Sequence, residues 1–220
     1  MRLTQLLAQQ DSDLDEIARL IDKDPALRQR LLRAANSAAD AEAGNIVESV
    51  EEALMRKGIG CALLMAMGTP LSLALAKTFQ TMLSLRLDTV DPRKVAPLEG
   101  KYILGTIRFA GKAVGRVSLR ISIESASAIA GMLLGMNPAE ITPGMVHDSV
   151  GELLNIITGN FKSNLADAGL NCRLEPPLVS RTDESSHMAV TGGGLERMAF
   201  KSGQLVLFVE VAVNPWNDGD

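Results

Sequence analysis

Glu152 and Asn155 stand three positions apart in the stretch HDSVGELLNIITGNFKSNL, residues 147–165. On a helix, that spacing makes the carboxylate and the amide neighbours able to touch one group on a partner molecule. At about 100° per residue, Asp148, Glu152, Asn155 and Gly159 fall within about 60° of each other, with Lys162 and Ser163 just outside. Val146, Val150, Leu154, Ile157 and Phe161, flanked by Leu153, form a separate apolar stripe. A polar helix face is ordinarily just solvated. Two residues argue for more here. Gly159 gives up about 1 kcal/mol of helix propensity relative to alanine while leaving room for another molecule. Asn155 is a weaker helix former than the Lys, Glu or Gln that a merely solvated position could carry.

The apolar stripe needs a surface to cover, and the flanking sequence supplies one. The helix is predicted from Met145 to a stop at Gly169. YILGTIRFAGKAVGRVSLRIS alternates apolar and polar residues on both sides of AGKAVG and predicts an antiparallel hairpin. ERMAFKSGQLVLFVEVAV predicts a second, turning at Ser202-Gly203. ESASAIAGMLLG reads as a short helix, NPAEITPG as a loop, and CRLEPPLVS and HMAVTG as strands. A helix from Pro70 would put Leu71, Leu75, Phe79, Met82 and Leu83 on one side. Residues 69–220 are therefore expected to form an α+β domain of long helices packed on an antiparallel sheet.

Residues 1–68 show helical spacing alone: Leu14, Ile17, Ala18 and Ile21, then Leu27, Leu31, Leu32 and Ala35, then Val47, Val50, Ala53 and Leu54. Asp24 caps a helix that begins at Pro25, and the acids of ESVEEAL sit near the positive end of another. This predicts a small all-helical N-terminal unit. Its boundary is expected at Gly68-Thr69-Pro70, where glycine can close one helix and threonine and proline can open the next.

With 46% apolar and 22% charged residues, the 220-residue chain reads as folded. A net charge of -4 and a pI near 5.3, with no basic stripe, argue against nucleic acid as a partner. Cys61 and Cys172 lie far apart in apolar or strand-like settings, the pattern of reduced thiols in a cytoplasmic protein, and two cysteines cannot build a cysteine metal site. Acids in the first turns of MRLTQLLAQQDSDLDEIARL do not fit a secretory signal. Residues 59–76 are uncharged and approach the roughly 18-residue threshold of a spanning helix. The break signals in MGTPLS read instead as two buried helix ends, so no membrane insertion is expected.

GELLNIITGNFKSNL followed by LEPPLVS resembles the CheX/CheC family of chemotaxis phosphatases, whose motif is an acid or serine, then a Glu, an Asn and a later proline. Asp148, Glu152, Asn155 and Pro177 (or Pro176) occupy those positions. FQTMLSLRL, GTIRFAGKAVGRVSL and GMLLG follow the family's order from about Pro70 to the C-terminus. ESASAIAGMLL has Glu124 but no matching asparagine, so the likeness is closest to the CheX branch.

The resemblance implies a phosphorylated CheY-like receiver domain as partner and its aspartyl phosphate as substrate. Asn155 would orient a water for in-line attack, and Glu152 would pair with the receiver's active-site lysine. Asp148 would shape the docking surface, and Gly159 would permit close contact. For Pro177, a strand-entry turn and a direct role stand equal. Phosphoryl transfer needs positioning and charge stabilisation more than covalent help, and a neutral amide holds a water without repelling phosphate. Mg²⁺ is implied on the receiver, with no cofactor bound by this chain. Homodimerisation through the sheet is implied as well. The alternative is a non-catalytic module that binds a receiver or a flagellar-switch-type partner through the same helix.

LIDKDPALRQRLLRAANSA, with VESVEEALMRKG downstream, resembles the HDOD family of signalling domains, related to HD phosphohydrolases but usually lacking their metal ligands. The likeness covers about residues 1–67, a partial domain whose implied job is interaction or positioning. His147-Asp148 spells the HD dipeptide of metal phosphohydrolases, but His187 is the only other histidine, too few ligands for a metal centre. TGGGLE, residues 191–196, lacks the Lys-Ser/Thr of a phosphate loop and reads as a loop between strands. Ser149 has His147 nearby but nothing to orient it for acyl transfer. The methionines read as core filler.

Overall fold

A computed structural model describes residues 2–7, 9, 13–36, 46–95, 101–182 and 194–214. Helices α1 (Arg2–Leu7), α2 (Leu14–Asp22), α3 (Pro25–Ala35) and α4 (Val50–Lys57) open the chain. Three of them begin where a side chain satisfies N–H groups that the first helical turn leaves without carbonyls. Asp13 accepts from the Asp15 amide, Asp24 from Ala26 and Leu27, and Ser49 from Glu52. Ile17, Ala18, Ile21, Leu27, Leu31, Ala35, Val47, Val50, Ala53 and Leu54 are buried, as their spacing predicts. Leu14 departs from that pattern: at the first residue of α2 it is exposed.

Helix α5 (Ile59–Leu83) runs unbroken for 25 residues, straight through Gly68, Thr69 and Pro70, where the sequence predicts one helix ending and another starting. The expected division at 68/69 therefore falls inside one element. An interior proline lacks the N–H that would bond the carbonyl four residues back and costs about 3 kcal/mol. Burial on both sides of it offsets that cost. Before the proline, Ala62, Leu63 and Leu64 are buried, and Arg30 of α3 donates to the Met65 carbonyl at 3.0 Å. After it, Leu75 and Phe79 are buried, while Met82 is exposed. Among the described residues no helix is long and apolar enough to cross a membrane.

The strands are β1 (Asp88–Val90), β2 (Tyr102–Gly111), β3 (Val114–Ser122), β4 (Cys172–Leu174), β5 (Leu178–Thr182), β6 (Gly194–Ser202) and β7 (Leu205–Asn214). They form one antiparallel sheet of seven strands in the order β1-β6-β7-β3-β2-β4, with β5 also paired to β2. Both hairpins form as predicted. The second turns at Gly203-Gln204, one residue later than expected, because the left-handed backbone of Gly203 (φ +58°) lies just beyond the Ser202–Leu205 pair.

CRLEPPLVS, read as a single strand, splits into β4 and β5. Leu174 pairs with Phe109 and Leu178 with Thr106, so three residues, 175 to 177, oppose two on β2. Two of the three are prolines, which have no N–H to give a ladder. The extra residue shifts the alternation by one and turns Val179 inward. HMAVTG, residues 187–192, lies outside the described residues.

Helices α6 (Ile123–Leu134) and α7 (Pro143–Asp167) join α5 on one face of the sheet. Gly105 of β2 lets α7 come close: a Cβ there would stand 3.2 Å from a Leu154 methyl and 3.4 Å from a Val150 methyl. On the other face, the Thr106 and Ser118 hydroxyls meet at 3.1 Å, Arg120 lies over the Tyr102 ring at 5.2 Å and Arg197 donates to Glu210 at 2.8 Å. The front helices and the sheet share one core. They are also tied by charge, since Arg30 donates to Glu196 of β6 at 2.6 Å.

Two outcomes follow from this packing. Gly105→Val drives a branched side chain against Leu154 and Val150 and is expected to cost about 1–3 kcal/mol in urea unfolding. Burial pushes the Glu196 carboxyl above its ordinary pKa, and Arg30 pulls it back. Because the folded value is raised, the ionised carboxylate opposes folding as pH climbs through that value, and the opposition vanishes below the unfolded pKa. Arg30→Ala is therefore expected to lose about 1–3 kcal/mol at neutral pH. The loss should shrink in mildly acidic buffer, and equal losses at both pH values would refute the coupling.

Candidate functional site

Helix α7 begins two residues before the predicted Met145, because the supposed loop ends in its start signal. Thr142 accepts from the Met145 amide at 3.3 Å, and Pro143 takes the first helical position. The helix closes at Gly169, whose backbone is left-handed (φ +87°), while the Leu170 amide donates back to the Leu165 carbonyl. Val146, Val150, Leu153, Leu154, Ile157 and Phe161 are all buried. The Phe161 ring packs tilted against Phe109 of β2, with centroids 5.7 Å apart. Asn160 donates to Thr78 of α5 at 3.3 Å and fixes α7 from a second side.

With the apolar stripe committed to the sheet, Asp148, Glu152 and Asn155 face solvent together, and Gly159 is half-buried beside them. The Asp148 side chain is 88% exposed. Among the described residues, no hydrogen bond or ion pair engages the side chains of Glu152 or Asn155. Both are thus unpaired on a rigid helix, one a charged acceptor and the other an amide that can donate and accept.

Pro177 is brought to the border of this face. Its Cγ lies 3.7 Å from where a Gly151 Cβ would be, and Gly151 immediately precedes Glu152. His147 holds that arrangement: its Nε2–H donates to the Val179 carbonyl at 3.2 Å, while Nδ1 sits 3.4 Å from an Asp148 carboxylate oxygen. The histidine that resembles half of a metal dipeptide in sequence thus hooks β5 onto α7. The sequence reading missed this link. Its one signal was the spacing of His147 and Gly151, one helical turn apart, upstream of a proline pair.

The other candidates lie elsewhere. Glu124 is exposed in the first turn of α6. Cys61 and Cys172 are buried and not joined in a disulfide, and burial pushes the Cys172 thiol up, against a smaller opposing pull from Lys162. Among the described residues, no group of three or more His, Cys, Asp or Glu is placed to hold a metal ion. His187 and Thr191 to Gly193 lie outside the described residues.

A Cβ at Gly159 would meet nothing within 4 Å. Within this chain alone glycine is therefore not required, and Gly159→Ala is expected to stabilise the fold by about 0.5–1 kcal/mol through helix propensity. Thermal and urea unfolding measure this, and a loss of stability would reveal an unseen packing role.

Residues 103–193 match the family model described as chemotaxis phosphatase CheX, and residues 1–89 match the one described as HDOD domain. The second match continues past residue 68 through α5 and into β1. No curated protein matches the chain. Among solved structures, the chemotaxis protein CheX of Vibrio vulnificus is 26% identical and superposes with a TM-score of 0.57, over 66% of this chain and 95% of that one. A CheC-like superfamily protein from a Shewanella species is 25% identical, with a TM-score of 0.58, over 67% of this chain and 97% of that one. CheX of Borrelia burgdorferi, in a complex with CheY, BeF3 and Mg²⁺, shares the fold at 22% identity and a TM-score of 0.56, over 66% of this chain and 96% of that one. Across its sheet and the helices on it, the chain resembles the CheX/CheC chemotaxis proteins, and across its helical front it resembles HDOD domains.

Proposed function

We propose that the chain is a CheX-like phosphatase that removes phosphate from the aspartyl phosphate of a CheY-type receiver domain. The observation that carries this reading is the pair Glu152 and Asn155, three residues apart, exposed and unengaged on α7 in a CheX-like fold. Asn155 orients the attacking water at the phosphoryl group, where a neutral amide adds no repulsion. Glu152 docks the receiver by pairing with its active-site lysine, and Asp148, Gly159 and Pro177 shape the contact around that pair. Mg²⁺ belongs to the receiver, and this chain supplies no cofactor. Support for the partner comes from the Borrelia relative, whose structure contains CheY. The HDOD-like front places the phosphatase near its signalling partners, and a second copy of the chain joins through the sheet.

The test is phosphate loss from a phosphorylated receiver of the same organism, with receiver binding measured alongside. Wild type is expected to accelerate the loss, and Asn155→Ala to slow the catalysed rate about a hundredfold or more while binding stays largely intact. Glu152→Ala is expected to weaken receiver binding by about tenfold. A receiver that binds through Glu152 yet keeps its phosphate at the unassisted rate would leave a docking module in place of an enzyme.

A further inference from the structure

Beside α7, bordering the polar face at His147, α6, α7, β2 and β5 enclose a half-open cleft of about 180 Å³. Its walls are aliphatic: Ile103, Ile123, Ile141, Val146 and Val179. Four polar residues line it, Ser127, His147, Ser180 and Arg181, and the side chains of the first two are already engaged. Ser127 donates to the Ile123 carbonyl at 2.9 Å, and the His147 ring is held by the Val179 carbonyl. The side chains of Ser180 and Arg181 make no hydrogen bond or ion pair among the described residues, and of the two only Arg181 carries a charge.

The register makes that arginine unusual. Arg181 pairs with Ile103, a buried residue on the helix-covered face, so strand alternation calls for an apolar side chain there. A guanidinium carries a fixed charge and a planar fork that matches a carboxylate. One cation without a partner among the described residues, at the edge of an aliphatic cleft, suits one negative charge on an apolar body. The volume lies below the roughly 300–1,000 Å³ of sites for drug-sized ligands, so that body is small.

We propose that this cleft binds a small monocarboxylate with a compact branched or cyclic apolar body, its carboxylate on Arg181 and its body between α6, α7 and β5. Such a ligand would bridge β5 to the helices on the same flank that His147 already hooks. The site does not depend on the phosphatase reading, since none of its walls belongs to the Glu152 and Asn155 face.

The full-length protein is titrated with isobutyrate, isovalerate and benzoate, and with the matching alcohols, by ligand-observed NMR and thermal unfolding. At least one acid is expected to bind saturably and to raise the unfolding temperature, with its alcohol weaker by about tenfold or more. Arg181→Met is expected to erase the acid's advantage, and Ser127→Leu, which fills the cleft, to abolish binding with the unfolding transition retained. Alcohols binding as well as acids, or an Arg181→Met protein that binds acids unchanged, would overturn the proposal and leave Arg181 as a charge guarding a sheet edge. So would the absence of saturable binding by all three acids.

Discussion

The burial of α7 against β2 at Gly105 is the contact on which the rest of the arrangement depends. It is a steric allowance more than an attraction, because only a residue without a side chain lets Val150 and Leu154 settle that close to the strand. Once they settle, the rotation of the helix is determined. Every residue on α7 then has its direction, including the four that share the polar side. The orientation of Glu152 and Asn155 is a consequence of aliphatic packing on the far side of the same helix, supported by Phe161 on Phe109 and by Asn160 on Thr78.

A second constraint holds the edge of that face. The residue inserted between β4 and β5 changes which side chains of the strand turn inward, and it delivers Pro177 and Val179 to α7 together. His147 closes the link with one hydrogen bond to backbone. The polar face and the neighbouring cleft therefore share a border made by one bulge and one imidazole. Neither the proline pair nor the histidine needs to touch a reacting atom to matter there.

Most of this architecture was legible in the residues. Periodicity placed both hairpins, α6, α7 and the apolar stripe, a cap at Asp24 placed the start of α3, and acids near its positive end pointed to α4. The misreadings have physical causes. Gly68-Thr69-Pro70 carries every local signal of a helix boundary, yet burial on both sides of the proline outweighs those signals and keeps α5 whole. Thr142 and Pro143 looked like loop because they precede the apolar repeat, although they are its cap and first turn. At the site, face and spacing could be read because both follow from helical geometry. The hook from His147 to β5 could not, since it joins residues 32 apart whose meeting depends on a bulge.

The unbroken α5 also sets an order of events for a chain emerging from the ribosome. Its first half is claimed early, by helices already made. Its second half waits for β6: Ser72 meets Met198 across 126 positions. Until the last hairpin is synthesised, the apolar side of Leu75 and Phe79 has no sheet to cover it. Contacts of such separation close slowly, and exposed apolar surface is open to wrong partners meanwhile. The shared helix that unites the two parts of the native protein is thus the segment most in need of protection before that protein exists.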